Sequence, residues 1–222
     1  MKPIPATALS LAFAVTSFLS VSAVAADTLL ETDFSDTIYY PSNTVLRVVN
    51  DGQGKWAFNS RARAVDMADG RRGINIVDTA YSLYSFPDAY SDGKITVEFS
   101  VVPNNPRGYF DIQLGNGTTY SDIGPQIRLG GNAEGDVTYY DGAAFVTIPG
   151  VTFTPNEVNT FKFTAYLSGE KSGKFDFYFN GKLVGENLAW RNDLLDLTTL
   201  RIRSTRIGQS CNLVGLTITH EE

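Results

Sequence analysis

A small set of side chains has the types and spacing suited to recognition of a sugar. Tyr109, Asp111 and Gln113 alternate in "GYFDIQLG", Gln126 and Arg128 alternate in "PQIRLGG", and Tyr140 stands in "DVTYYDG". A strand sends successive side chains to opposite faces. With Phe110, Ile112, Leu114, Ile127 and Leu129 turned to a core, this polar set, joined by Glu98 and Thr138, points the other way. Tyrosine rings offer apolar faces to the axial hydrogens of a pyranose, while Asp, Gln and Arg offer directed hydrogen bonds to its hydroxyls. The same alternation also fits a plain half-exposed sheet.

Catalytic chemistries find less support. Sugar hydrolysis needs two carboxyl groups within roughly 5 to 10 Å of each other. The closest spacings are Glu31 with Asp33 in the first strand and Glu134 with Asp136 in a turn, while Glu98 and Asp111 are expected to meet across adjacent strands. A lyase needs a base and a group that neutralises the uronate carboxylate; Tyr109 and Tyr140 are the candidates for the base. The lone histidine, His220, sits beside the terminal acids Glu221 and Glu222, where fraying is expected. One His and one Cys do not make a usual zinc ligand set. Cys211, near Leu213, reads as a small buried hydrophobe.

These residues must be positioned by strands. In "GKFDFYFNGKLVGENLAWRND", Phe175, Phe177 and Phe179 alternate with polar residues, and Asn180-Gly181 supplies a two-residue turn of type I′. That turn places Phe177 opposite Val184 and Tyr178 opposite Leu183. Further strands are expected at "TLLETDF", "KWAFNS", "GINIVD", "KITVEFSVV", "AFVTIPG", "NTFKFTAYL", "TTLRIRS" and "NLVGLTITHE", punctuated by Gly, Asn-Asn-Pro, Asn-Gly and Asp-Gly. The one helical candidate is a turn at "NDLLDL", capped by Asp193. Trp56 is expected inward, and Trp190 is expected either to plug the sandwich edge or, with Arg191, to touch a ligand. Many short antiparallel strands in one long segment predict an all-β, two-sheet antiparallel β-sandwich.

Lys2, the apolar run "ATALSLAFAVTSFLSV" and "SAVAAD" together read as a secretory signal peptide, residues 1–26, with cleavage near Ala26. Residues 27–222 then form a single domain, secreted or periplasmic, with no second apolar run long enough to span a bilayer. A lone cysteine permits no internal disulfide. The net charge of −6 argues against a nucleic-acid partner. The cations are nevertheless mostly arginine: Arg47, Arg61, Arg63, Arg71, Arg72, Arg107, Arg128, Arg191, Arg201, Arg203 and Arg206. Arginine forks suit carboxylate or sulfate, either on a ligand or on the protein's own acids.

A first strand ending in "DF", the "FYFNGKLVG" hairpin, the "NLAWRN" connection, "LTTLRIRS" and a closing "LVGLTI" resemble the concanavalin A-like lectin/glucanase superfamily, specifically the laminin G-like jelly rolls of secreted bacterial proteins. The likeness spans nearly all of residues 27–222. It implies a jelly roll whose middle strands line a sugar-binding face, which places Tyr109, Asp111, Gln113, Gln126, Arg128 and Tyr140 in the site. It also implies a structural calcium ion near the first and last strands, where Asp33 and Asp36 of "DFSD" are eligible ligands, with turn capping as their alternative role. The Glu-x-Asp-x-x-Glu motif of the superfamily's glucanases is absent. "PQIRLGG" is similar to the Gln-Ile-His strand of jelly-roll alginate lyases, but Arg128 stands at the histidine position and the other two lyase strands are missing. Since fold does not select activity, the expected function is a non-catalytic module that binds a glycan, such as an acidic polysaccharide, or another surface. A polysaccharide lyase or glycoside hydrolase and a structural envelope or matrix protein are the alternatives.

Overall fold

The computed structural model describes residues 25–50, 55–59, 61–105, 107, 109–131 and 133–222. The expected signal peptide lies outside the described residues except for Ala25 and Ala26. The first strands are β1 (Asp27–Thr32), β2 (Val48–Asn50), β3 (Lys55–Phe58), β4 (Arg63–Asp66), β5 (Arg72–Val77), β6 (Tyr81–Tyr90), β7 (Lys94–Pro103) and β8 (Phe110–Gly115). They are followed by β9 (Ile123–Leu129), β10 (Asp136–Tyr140), β11 (Phe145–Thr152), β12 (Asn159–Tyr166), β13 (Lys174–Phe179), β14 (Lys182–Ala189), β15 (Leu197–Ser204) and β16 (Ser210–Glu221). All pairings are antiparallel, and the strands form two sheets that pack as a sandwich. No helix among the described residues is long and apolar enough to cross a membrane.

The first sheet runs β14-β13-β12-β7-β16-β5-β4, and β1 also pairs with β16. The second runs β11-β10-β9-β8-β15-β6-β3-β2. Period-two patterning drives both, because one face of each strand must be covered. In β12, Phe161, Phe163 and Ala165 are buried while Thr160, Lys162 and Thr164 are partly exposed. Phe161 stacks on Phe99 at 5.3 Å and on Phe177 at 6.0 Å across neighbouring strands of the first sheet. Ile112, Leu114, Ile127, Leu200 and Ile202 belong to the same core from the second sheet. Tyr84 of the second sheet donates its hydroxyl to the Leu29 carbonyl at 2.9 Å and ties β6 to β1.

The hairpin at Asn180-Gly181 forms with φ of 47° and 78°, the left-handed pair that a type I′ turn requires. Tyr178 lies opposite Leu183 as expected, but Phe177 lies opposite Gly185 instead of Val184. The extra residue forms a bulge, stabilised one pair further on where the Asn187 amide donates to the Asp176 carboxylate at 2.8 Å. Phe175 and Phe177 are buried, whereas Phe179 at the hairpin end is only partly covered.

Other expectations change. "NDLLDL" forms no helix: Asn192 is held by the carbonyls of Tyr120 and Ile123, Leu195 is 91% exposed, and Leu197 already belongs to β15. The segment is too short for more than one turn and packs only Leu194 partly against the core, and among the described residues a 3₁₀ turn lies instead at Tyr120–Asp122. His220 does not fray. It sits in β16, buried against Tyr90 at 4.5 Å, with Nε2 3.0 Å from the Asp92 carbonyl oxygen. Trp56 is inward, and Trp190 plugs the edge with its indole N–H donated to the Lys174 carbonyl. Cys211 is buried, which pushes its thiol pKa well up.

Candidate functional site

The face of the second sheet turned away from the core is built in rows. Register places Arg203 of β15, Asp111 of β8, Arg128 of β9 and Thr138 of β10 side by side, with Arg201, Gln113 and Gln126 in the adjacent row. Paired residues share a face, so alternation brings Asp111, Gln113, Gln126 and Arg128 together as expected. Glu98 does not join them. It lies on β7 of the opposite sheet, paired with Lys162 and Thr217, so no Glu98–Asp111 carboxyl pair exists.

Asp111 is the anchor of the layer and is fully buried. Arg128 grips it with a two-pronged fork, Nε to Oδ1 at 2.5 Å and Nη2 to Oδ2 at 2.9 Å. Arg203 Nε, Gln113 Nε2 and Gln126 Nε2 donate to Oδ2 at 3.4, 3.4 and 3.2 Å. Burial of a carboxylate is tolerable only with such saturation by donors. Gln126 then accepts from Arg191 Nη1 at 2.9 Å, and the Arg191 guanidinium lies 3.9 Å from the Tyr140 ring centroid and 4.9 Å from that of Tyr120. Arg203 Nη2 donates to the Tyr120 hydroxyl oxygen at 3.1 Å. Arg201 donates to the Thr118 carbonyl at 2.8 Å beside Tyr81, and Arg128 lies 3.7 Å over Phe145.

The result is two tiers. Asp111, Gln113 and Gln126, expected to face a ligand, are buried beneath a lattice of arginines and rings. The groups that reach solvent are Arg128, Arg191, Arg201 and Arg203, together with Tyr140, Tyr120 and Tyr81. Tyr109 lies just before β8 with φ of 52°, donates its hydroxyl to the Gly131 carbonyl at 3.2 Å, and is covered by Arg206 at 3.7 Å. Tyr140 donates its hydroxyl to the Ala143 carbonyl at 2.9 Å and offers its ring to Arg191. Sequence reading missed the grouping of Tyr120, Arg201 and Arg203 with this face. The Arg-x-Arg alternation of β15 was visible, but its position beside β8 depends on pairing between residues far apart in the chain, and Tyr120 stands in a loop without periodic signal.

Charge on this face is unbalanced. Among the described residues Asp111 pairs with Arg128 and Arg203, whereas Arg191 and Arg201 have no carboxylate partner. Burial, and next the charge of Arg203, lower the pKa of Arg201. Burial also opposes the charge of Arg203, but the Tyr120 oxygen and Asp111 outweigh it and raise that pKa. The reciprocal effect lowers the pKa of Tyr120: the hydrogen bond and charge of Arg203 come first, with burial and Asp111 opposing.

A cavity of about 520 Å³ lies elsewhere, lined by Glu31, Asp33, Asp36, Tyr39, Tyr40 and Glu98 among others. The calcium ligands suggested by resemblance line it, but Asp33 Oδ1 accepts the Ser35 amide at 2.9 Å and Asp36 Oδ1 the Ile38 amide at 2.8 Å. Hydrogen bonds from Ser35 hold Asp33 below the usual carboxylate range. Among the described residues no group of three or more His, Cys, Asp or Glu is placed to hold a metal ion.

No protein-family model matches the chain, and no curated protein does. Solved structures do share its fold. A sialidase superposes with a TM-score of 0.59 at 11% identity, over 86% of this chain and 18% of the other. A botulinum neurotoxin type C structure, described by its interaction with two ganglioside molecules, gives 0.56 at 10% identity over 88% and 48%. The binding domain of botulinum neurotoxin serotype G gives 0.53 at 12% identity over 79% and 45%. The chain therefore spans less than half the length of each of these neighbours. At these identities the likeness shows a shared fold, a two-sheet antiparallel β-sandwich.

Proposed function

We propose that this chain is a glycan-binding module and that the arginine-covered face of its second sheet takes an acidic polysaccharide. The carrying observation is the placement of Arg191 and Arg201, with no carboxylate partner, among Tyr81, Tyr120 and Tyr140 on an open sheet face. Guanidinium forks recognise carboxylate or sulfate, and the tyrosine rings present apolar surface to sugar rings. The solved neighbours include ganglioside-interacting and sialidase proteins, which is in keeping with this reading. Export through the leader at residues 1–26 would bring the face to extracellular or periplasmic polymers.

Titration with acidic and neutral polysaccharides at several salt concentrations tests the proposal. Arg201→Ala weakens acidic-glycan binding by about 1.5 to 3 kcal/mol, the usual worth of a hydrogen bond to a charged group, and flattens its salt dependence. Tyr140→Ala weakens binding with little change in that dependence, because the ring carries no net charge. Equal affinity for neutral glycans, with no effect of Arg201→Ala, refutes the proposal.

A further inference from the structure

Three aliphatic side chains among the described residues stand almost wholly in solvent: Ile38 at 84% exposure, Leu195 at 91% and Ile207 at 80%. Scattered singly, such groups need no partner. Their surroundings differ in charge, because Ile38 stands near Asp36 and Leu195 between Asp193 and Asp196, whereas Ile207 directly follows Arg206. Backbone pairing gathers further cations at the same end of the sandwich. The Phe58 amide donates to the Arg47 carbonyl at 2.6 Å, the Asn59 amide to the Tyr81 carbonyl at 3.1 Å and the Gly208 amide to Asp78 Oδ1 at 2.7 Å, while Arg61 Nη1 donates to the Asp78 carbonyl at 2.6 Å. The start of β2, the start of β6 and residues 205–209 therefore meet. Arg47, Arg61 and Arg206 are exposed there, and among the described residues none of them has a carboxylate partner. Beside them Val48 is 61% and Tyr81 39% exposed, so this end joins free guanidiniums to outward apolar groups. A polysaccharide stacks on rings and gains little from an aliphatic branch held out in water. An anionic bilayer meets both kinds of group, with phosphates for the arginines, acyl chains beneath them for Ile207 and Val48, and the headgroup level for Tyr81.

We propose that this end of the sandwich docks on an anionic lipid surface, with Arg47, Arg61 and Arg206 on the phosphates and Ile207 and Val48 entering the boundary between headgroups and acyl chains. The contact is separate from glycan recognition on the open sheet face and does not depend on it. The chain as a whole carries a net charge of −6, so an anionic surface repels most of it and accepts only a cationic end. Charge therefore sets the orientation. The apolar area at this tip is small, which leaves attraction to the arginines as the larger contribution, about fivefold in affinity for each one near the surface. Burial of the Ile207 side chain adds about tenfold.

The test floats residues 27–222, which carry every strand named above, with vesicles of phosphatidylcholine alone and with increasing phosphatidylglycerol, at several salt concentrations. Calorimetry with a polyuronate runs in parallel. Binding rises with the phosphatidylglycerol fraction and falls with salt. Arg47→Ala and Arg206→Ala each lower vesicle binding about fivefold, and Ile207→Ser lowers it about tenfold without changing the salt dependence or the binding of polyuronate. Unchanged unfolding midpoints separate these losses from misfolding. Polyuronate binding with no vesicle binding overturns this inference and leaves the glycan reading standing, whereas vesicle binding alone supports it and removes that reading. Equal binding to phosphatidylcholine alone, or an Ile207→Ser protein that binds vesicles as wild type does, overturns the docking. Arg47→Ala and Arg206→Ala weakening polyuronate as much as vesicles would make this end part of the glycan face and overturn it too.

Discussion

Asp111→Asn keeps the shape of the side chain and removes one charge from the centre of the arginine layer. The carboxylate is 0% exposed, while the Arg128 and Arg203 side chains that hold it keep 17% exposure each. In the variant two guanidiniums approach a neutral amide from adjacent strands, and the Arg128 fork loses its charged acceptor. Removing one partner of a buried ion pair costs about 3 to 5 kcal/mol because the other charge stays uncompensated. The residual exposure of both arginines lets water screen part of this, which points to the lower end, about 3 kcal/mol. At roughly 2 to 4 °C per kcal/mol for a chain of this size, the thermal midpoint falls by about 6 to 12 °C. Urea unfolding of wild type and variant, with a parallel thermal scan, measures it. A loss under about 1 kcal/mol would falsify the account of Asp111 as the anchor, because it would place the pair in the range of exposed surface bridges.

Two further outcomes follow from the first sheet. Phe177→Ala, at a fully buried position stacked on Phe161, costs about 3 to 5 kcal/mol, whereas Lys174→Ala at the exposed start of the same strand stays within about 0.5 kcal/mol; chemical denaturation of both checks this, and equal effects contradict it. Tyr166 donates its hydroxyl to the Asp176 carboxylate at 2.6 Å, and burial together with that carboxylate pushes its pKa from 10.0 to about 12. A raised pKa stabilises the folded state fully below the unfolded value and loses that contribution as pH rises through the folded one. The stability difference between wild type and Tyr166→Phe therefore narrows from pH 10 to about 12, and a difference independent of pH in that window refutes the linkage.

Sequence alternation was enough to read the sandwich and which polar side chains share one face of the second sheet. It identified β8 and β9, their core-facing Phe110, Ile112 and Ile127, and the grouping of Asp111, Gln113, Gln126 and Arg128. It did not identify β2, β4 or β6. The strand β6 carries Pro87 and Asp88 in "YSLYSFPDAY", residue types that strands disfavour, yet β15 pairs on both sides of them, with Thr199 opposite Ser85 and Leu197 opposite Tyr90. Neighbour relations were the main loss. Nothing local tells that β15 lies beside β8, and that adjacency sets Arg203 on Asp111. Depth was the other loss: an alternating polar residue reads as exposed, but Asp111 and Gln126 are covered because longer arginine side chains fold over them. His220 was misread for a related reason, since proximity to the end of the sequence says nothing about whether a strand is central.

The path of β16 carries a kinetic consequence. Its residues pair with β7 along one side, while β5 and β1 share the other, with Asp27 opposite His220. Until Ser210–Glu221 is in place, the first sheet exists as separate pieces and β1 has no strand partner. Closing contacts this distant in sequence makes folding slow, on the order of milliseconds to seconds. During that interval β5 and β7 each present an unpaired edge, a template for strands of other molecules. Refolding yield is therefore limited by protein concentration, and a chain shortened before Ser210 loses the middle of its first sheet rather than a dispensable tail.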